Sequence, residues 1–406
     1  MIVSAIPTLV LIGLAAVLAP LTAEALRRFV PVPEVVILIL FGIVLGPSVL
    51  GLAHTNTIVT ALSDFGLTFL MFLAGTELDL ATMREGHLGR AAMSWAASLV
   101  IALAIGVVLH ATGLVLDSVV VALCLTTTAL GTLLPILRDA GTFRTALGPS
   151  ILSVGAIGEF GPIVAVAVLL TDRDAPLTFL LLIAFVAVAV VAALLAMQVH
   201  PPRFIALMRR HLHSTAQLPV RISILLVVLL VYLAVKLSLD VLLGAFAAGV
   251  VVRLFITGDD SEQITNKLEA IGFGFLIPIF FIESGITFDL NALVHQPKVL
   301  LLVPMFTAIF LLTRAVPTWA FFRGVLANVE TRSLAVVSAT GLPIIVVITT
   351  LGVDEHKMKP QNAAALVAAG MLSVLIYPLI ALRWLGQQSA APERRGLMER
   401  AAEEEQ

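Results

Sequence analysis

Charge is what this sequence lacks. Of its 406 residues only 12% are Asp, Glu, Lys or Arg, about half the share of an ordinary soluble domain. Hydrophobic residues make up 60% and the mean hydropathy is +1.09, so the chain reads as a polytopic membrane protein. A single cysteine, Cys124, excludes a disulfide within the chain and lies in an apolar segment, where small-residue packing accounts for it. No Lys or Arg precedes the first apolar run, which argues for a first spanning helix rather than a cleaved signal peptide. There is no His-Glu-x-x-His and no Gly-x-Ser-x-Gly elbow, so an intramembrane enzyme lacks its parts. The connections are short, leaving no room for a soluble catalytic or nucleotide-binding domain, and nothing suggests nucleic acid. The net charge of −2 says little about partners when charges are so few.

What is present is a series of apolar stretches. About 20 residues cross the hydrocarbon core as a helix, and thirteen such segments are expected, near 4–26, 33–51, 57–76, 90–111, 114–137, 147–170, 177–198, 218–236, 238–255, 268–288, 299–322, 332–351 and 362–384. Alternate loops differ sharply in basic residues, 18 on one side counting the C-terminal tail and 5 on the other. The positive-inside rule then places the N-terminus outside and the C-terminus in the cytoplasm of a plasma-membrane protein. The one basic residue left over from this loop count, Arg314, falls inside a span.

Two spans look interrupted. The fifth carries Thr126, Thr127, Thr128, Gly131, Thr132 and Pro135, and the twelfth carries Ser338, Thr340, Gly341 and Pro343. Polar and helix-weakening residues in corresponding helices of two halves point to a midplane ion site. Either stretch alone reads equally as a kinked helix whose hydroxyls bond their own backbone. The matched placement predicts two inverted units, spans 1–6 and 8–13, joined by span 7.

The sixth span, 147–170, holds one carboxylate, Glu159, near its middle. An ionised acid at that depth costs at least about 2.5–3.5 kcal/mol. Such a residue is either a protonated structural glutamate or a group that binds and releases an ion, and the second reading organises the rest of the chain.

Three stretches carry a family resemblance: PEVVILILFGIVLGPSVLG over 33–51, LSDFGLTFLMFLAGTELDL over 62–80 and LIPIFFIESGITFDL over 276–290. In this order the sequence resembles the monovalent cation:proton antiporters, which include sodium/proton and Kef-type potassium/proton exchangers, over about residues 4–384. The resemblance implies an all-α NhaA-like fold of about 13 transmembrane helices, an inverted repeat in which interrupted spans 5 and 12 cross. It implies dimerising panel helices 1–3 over 1–80 and 8–10 over 217–290. Transport-core helices 4–6 and 11–13 would occupy 88–171 and 298–386. A linker helix with a basic loop would fill 172–216, and a short cytoplasmic tail 387–406. The acid pair of such proteins matches Gly158-Glu159, so one carboxylate stands at the site and position 158 offers no side chain. Arg314 matches their basic residue in span 11.

The expected function is secondary antiport of Na+ or K+ against H+ by alternating access, with no cofactor beyond the transported ions and a homodimer in the bilayer. Desolvation raises a glutamate toward neutral pH, and a bound cation expels its proton, so the two ions compete for Glu159. Thr126, Thr127, Thr128, Ser338 and Thr340 would supply neutral oxygens to the metal ion. At 1.5 Å per residue, Glu159 lies about 18 Å and Arg314 about 13 Å from the cytoplasmic ends of their spans. Arg314 is then a counter-charge for Glu159, or one member of a permanent pair with Glu159 or Glu283. Glu283 and Asp64 are residues of an ion path or polar groups of the panel. The alternative functions are transport of another small ion or organic solute on the same fold, or a non-transporting membrane sensor.

Overall fold

The computed structural model describes residues 2–26, 32–76, 87–169 apart from 131, 134–136, 138–141 and 143–146, a few positions between 184 and 191, 217–255 apart from 238 and 240, and 261–404 apart from 296. The first six helices are α1 (Ile2–Leu26), α2 (Glu34–Leu45), α3 (Thr57–Thr76), α4 (Leu88–Ala111), α5 (Ser118–Leu125) and α6 (Leu147–Leu169). Then come α7 (Leu218–Lys236), α8 (Val241–Phe255), α9 (Ser261–Ile271), α10 (Ile277–Ile286), α11 (Leu290–His295) and α12 (Pro297–Phe310). The last four are α13 (Val316–Phe322), α14 (Asn328–Ser338), α15 (Pro343–Asp354) and α16 (Pro360–Glu404). Nine stretches of helix among the described residues are long and apolar enough to cross a membrane, and Glu34–Leu45 and Val241–Leu254 are shorter apolar helices. Of the thirteen expected spans, the fifth is represented by the eight-residue α5, and the seventh falls mostly outside the described residues. The last helix does not stop at the membrane segment but runs on through the expected tail to Glu404, as its Ala, Glu and Arg content favours.

The chain forms two compact units, one of residues 1–79 and 163–290, the other of 80–162 and 291–406. In the first unit glycines set the helix contacts. A Cβ added to Gly42 on α2 would strike the Ile282 carbonyl of α10 and stand 2.8 Å from Gly285 Cα. A Cβ on Gly249 of α8 would strike the Phe72 carbonyl of α3 and stand 2.8 Å from Gly75 Cα. Backbones meet this closely only where small residues face each other, which is how helices associate when lipid is as apolar as leucine.

Among the described residues each unit holds one π-helical turn, Gly272–Leu276 between α9 and α10 and Leu311–Ala315 between α12 and α13. Both are followed two residues later by proline, Pro278 and Pro317. Proline has no N–H and its ring presses on the carbonyl four residues back. Widening the turn to i→i+5 bonding, Ile277 N to Gly272 O and Val316 N to Leu311 O, carries the helix past that obstacle.

In the second unit both interruptions are present. Helix α5 ends at Leu125 and residues 126–129 are not helical; α14 ends at Ser338 and α15 begins only at Pro343.

Candidate ion-binding site in the second unit

The short α5 is anchored at its start by Asp117, whose carboxylate accepts from Val119 N at 2.7 Å and Val120 N at 3.0 Å. At its other end the threonines turn back on the helix. Thr126 Oγ1 donates to Leu123 O at 2.9 Å and Thr127 Oγ1 to Cys124 O at 3.0 Å. The next carbonyl, Leu125 O, accepts from Thr313 Oγ1 at 2.9 Å. These are the orphan carbonyls of a helix C-terminus, and side-chain hydroxyls satisfy them.

The two interruptions touch. Ala129 N donates to Thr340 O at 2.7 Å, and Thr128 Oγ1 donates to Ser338 O at 2.6 Å. Gly341 passes over Thr127, since a Cβ there would lie 2.6 Å from Thr127 Oγ1. Its amide and carbonyl are both held by Ser373 Oγ at 3.1 Å. Unwound backbone at membrane depth is tolerable only when such partners exist. The carboxylate helix joins the same contact, because Thr128 N donates to Gly158 O at 2.8 Å. Glu159, the next residue, is buried with 6% of its surface exposed.

Arg314 sits in the π-turn and is the largest fully buried side chain, 1% exposed. Its Nη2 donates to Thr128 Oγ1 at 2.8 Å, its Nε to the same oxygen at 3.2 Å and to Ser338 O at 3.3 Å, and its Nη1 to Ser98 Oγ at 3.3 Å. A buried cation loses several kcal/mol of hydration. Here the C-termini of α5 and α14 come together at Thr128 and Ser338, each contributing about half a negative elementary charge. Their sum is of the size needed to hold one guanidinium. Around it runs a chain of hydroxyls: Ser338 Oγ lies 3.1 Å from Thr318 Oγ1, and Ser94 Oγ lies 3.1 Å from the same atom.

Among the residues singled out from sequence, Thr126, Thr127, Thr128, Ser338, Thr340, Arg314 and Glu159 all belong to this unit. They differ in what their oxygens are doing. The hydroxyl protons of Thr126, Thr127, Thr128 and Ser338 are given to backbone carbonyls. Thr340 Oγ1, fully buried, meets no hydrogen-bond partner among the described residues, and neither does Trp95 Nε1. Gly131 and Pro135 of the fifth span lie outside the described residues. Glu283 and Asp64 belong to the first unit. Glu283, half-buried on α10, accepts from Ser63 Oγ at 3.3 Å and Thr60 Oγ1 at 3.5 Å, while Asp64 is on the exposed side of α3. Sequence reasoning did not single out Ser94, Ser98, Thr313, Thr318 or Ser373. Ser94 and Ser98, four apart in an apolar span, form a polar stripe that is their visible signal; Thr318 follows Arg314 by four residues in the same way.

The profile of the family described as "Sodium/hydrogen exchanger, transmembrane" matches residues 13–385. The chain belongs to that family. It is thus a multi-pass membrane protein whose relatives are named as antiporters. It is 27% identical over 404 residues to the putative Na(+)/H(+) antiporter YjbQ of Bacillus subtilis, covering 93% of this chain and 63% of the relative's length. To the Na(+)/H(+)-K(+) antiporter GerN of Bacillus cereus it is 25% identical over 368 residues, 85% of this chain and 88% of the relative. The sodium proton antiporter MjNhaP1 of Methanocaldococcus jannaschii shares the fold, with a TM-score of 0.67 at 16% identity over 94% of this chain and 97% of that one. Monovalent cation:proton antiport is the activity for which the family and these relatives are named.

Proposed function

We propose that this member of the exchanger family carries a monovalent cation, Na+ or K+, in exchange for H+ by alternating access, with the two ions competing for Glu159. The observation that carries the reading is the meeting of two half-helix C-termini beside the carboxylate helix: Ala129 N on Thr340 O, Thr128 Oγ1 on Ser338 O, and Thr128 N on Gly158 O. Two negative dipole ends and a buried acid make a place where positive charge is stabilised. A cation there has neutral oxygens at hand, Thr340 Oγ1 foremost because its hydroxyl has no partner among the described residues. Arg314 is the counter-charge of the cation-free state, and it leaves the shared oxygens when a metal ion arrives.

In this reading the second unit is the transport core and interrupted spans 5 and 12 cross within it. The first unit is the panel through which a homodimer forms in the plasma membrane, N-terminus outside and C-terminus in the cytoplasm. The glycine pairs support an inverted repeat. Gly42 and Gly249 belong to spans 2 and 9, Gly285 and Gly75 to spans 10 and 3, so the α2–α10 contact is repeated by α8–α3. Glu283 is then a panel acid held by Ser63 and Thr60 rather than a displaced second acid of the site.

The test is reconstitution in vesicles under an imposed pH gradient, adding Na+, K+ and Li+ in turn. Cation-triggered proton movement is expected, and Glu159→Gln is expected to reduce it by about 100-fold or more, since each tenfold corresponds to about 1.36 kcal/mol. Proton movement that survives the substitution would move the site elsewhere, with Glu283 first in line.

A further inference from the structure

Position 158 carries no side chain, yet the space beside it is filled. A Cβ built on Gly158 would collide with Thr128 Oγ1 and with Arg314 Nη2, and would stand 2.7 Å from Thr128 Cβ. The Nη2 end of the guanidinium therefore lies against the carboxylate helix at Gly158, one residue from Glu159. Two neighbouring glycines on the same face receive different groups. Gly155 takes Leu130, whose Cδ1 would be 2.7 Å from an added Cβ, and Gly161 takes the Trp95 ring. Leu130 and Trp95 are packing contacts; only at 158 is the visitor charged.

We infer that Gly158 is a positioning residue: it is the slot that lets the Arg314 guanidinium reach Thr128 and Ser338, so that the arginine rests on the neutral oxygens at the two interruptions. A side chain at 158 would strike both ends of the 2.8 Å bond from Arg314 Nη2 to Thr128 Oγ1, so that bond cannot keep its place. The resting competitor of the transported cation is thereby set by the residue beside the carboxylate as much as by the arginine. The geometric part stands alone; the transport consequence rests on the exchange reading above.

A double-mutant cycle tests both parts and separates their failures. Thermal unfolding of purified protein is compared for the wild type, Gly158→Ala, Arg314→Ala and the double variant. Gly158→Ala should lower the midpoint by about 4 °C or more, as overpacking does, and by less once Arg314 is truncated, because only the Thr128 contacts then remain. An equal drop in both backgrounds would overturn the slot. Should Gly158→Ala fail to fold, recovery of folded protein in the double variant supports the slot, and continued misfolding contradicts it. In vesicles, Gly158→Ala should shift the half-maximal cation concentration by about fivefold or more beside Arg314, and by less than about twofold beside Arg314→Lys, whose unforked ammonium does not cover position 158. Equal shifts in the two backgrounds would show that position 158 acts on transport without Arg314. No cation-driven proton movement in the wild type would overturn the exchange reading and leave the thermal cycle to decide the slot.

Discussion

In the first unit the helices meet through glycine, Gly42 on Gly285 and Gly75 on Gly249, while in the second the central contacts are polar: Thr128 on Ser338, Arg314 on Thr128, Thr313 on Leu125. Close backbone approach gives dispersion contact that changes little unless the whole interface shifts. Hydrogen-bonded contacts among unwound segments hold only while every donor and acceptor is matched, so a change in one partner is felt by all. The first arrangement suits a support, the second a site that must exist in two states. Glu283 in the first unit and Glu159 in the second are both acids within spans, and the difference repeats. Glu283 accepts two hydroxyls, whereas Glu159 adjoins the residue that touches both Thr128 and Arg314.

The contrast can be broken most forcefully at the arginine. Arg314→Met should lower the exchange rate by about tenfold or more, because the cation-free state loses its counter-charge. The half-maximal cation concentration should fall rather than rise, since a competing positive charge is gone. Rates measured across a cation titration in vesicles check both directions.

Thr340→Val sharpens the same point with a smaller effect. The hydroxyl has no partner among the described residues, so its loss should leave the unfolding midpoint unchanged or slightly higher. If Thr340 is a ligand, the half-maximal cation concentration should nevertheless rise by about three- to tenfold, the range of one hydrogen-bond-sized contact to a charge. A stable variant with unchanged cation dependence would remove Thr340 from the site.

In the other unit the expectation is reversed. Gly285→Ala drives a methyl into the Ile39 carbonyl and should cost about 1–3 kcal/mol, or a few degrees in the unfolding midpoint. Its cation dependence should match that of the wild type. A large change in cation dependence with unaltered stability would place ion chemistry in the first unit.

The sequence makes the interruptions visible because Thr126, Thr127, Thr128, Ser338 and Thr340 are polar where an intact spanning helix is apolar. Glu159 and Arg314 stand out for the same reason, as charges in oil. What those groups touch is not written locally. Thr313 caps Leu125 across 188 residues and Ser98 reaches Arg314 across 216; a lone serine or threonine in an apolar helix looks the same whether it bonds its own turn or a distant arginine. Gly158 is the clearest case. As a letter it marks a missing side chain, and its meaning comes from the guanidinium that lies on it. The π-turns are partly legible, since Pro278 and Pro317 announce a disturbance but not whether the helix kinks or widens. The count of spans is legible as hydropathy, although the fifth is divided so early that only eight residues of regular helix precede its break.

The most direct test of a shared carboxylate is the half-maximal cation concentration measured in vesicles across pH. If proton and metal ion exclude each other at Glu159, that concentration rises about tenfold for each pH unit of acidification below the carboxyl's titration midpoint and levels off above it. The maximal rate at saturating cation stays the same when pH is varied only on the side of cation addition and held fixed on the other. A half-maximal concentration that does not move with pH, with only the maximal rate changing, would mean that the two ions never meet at one group.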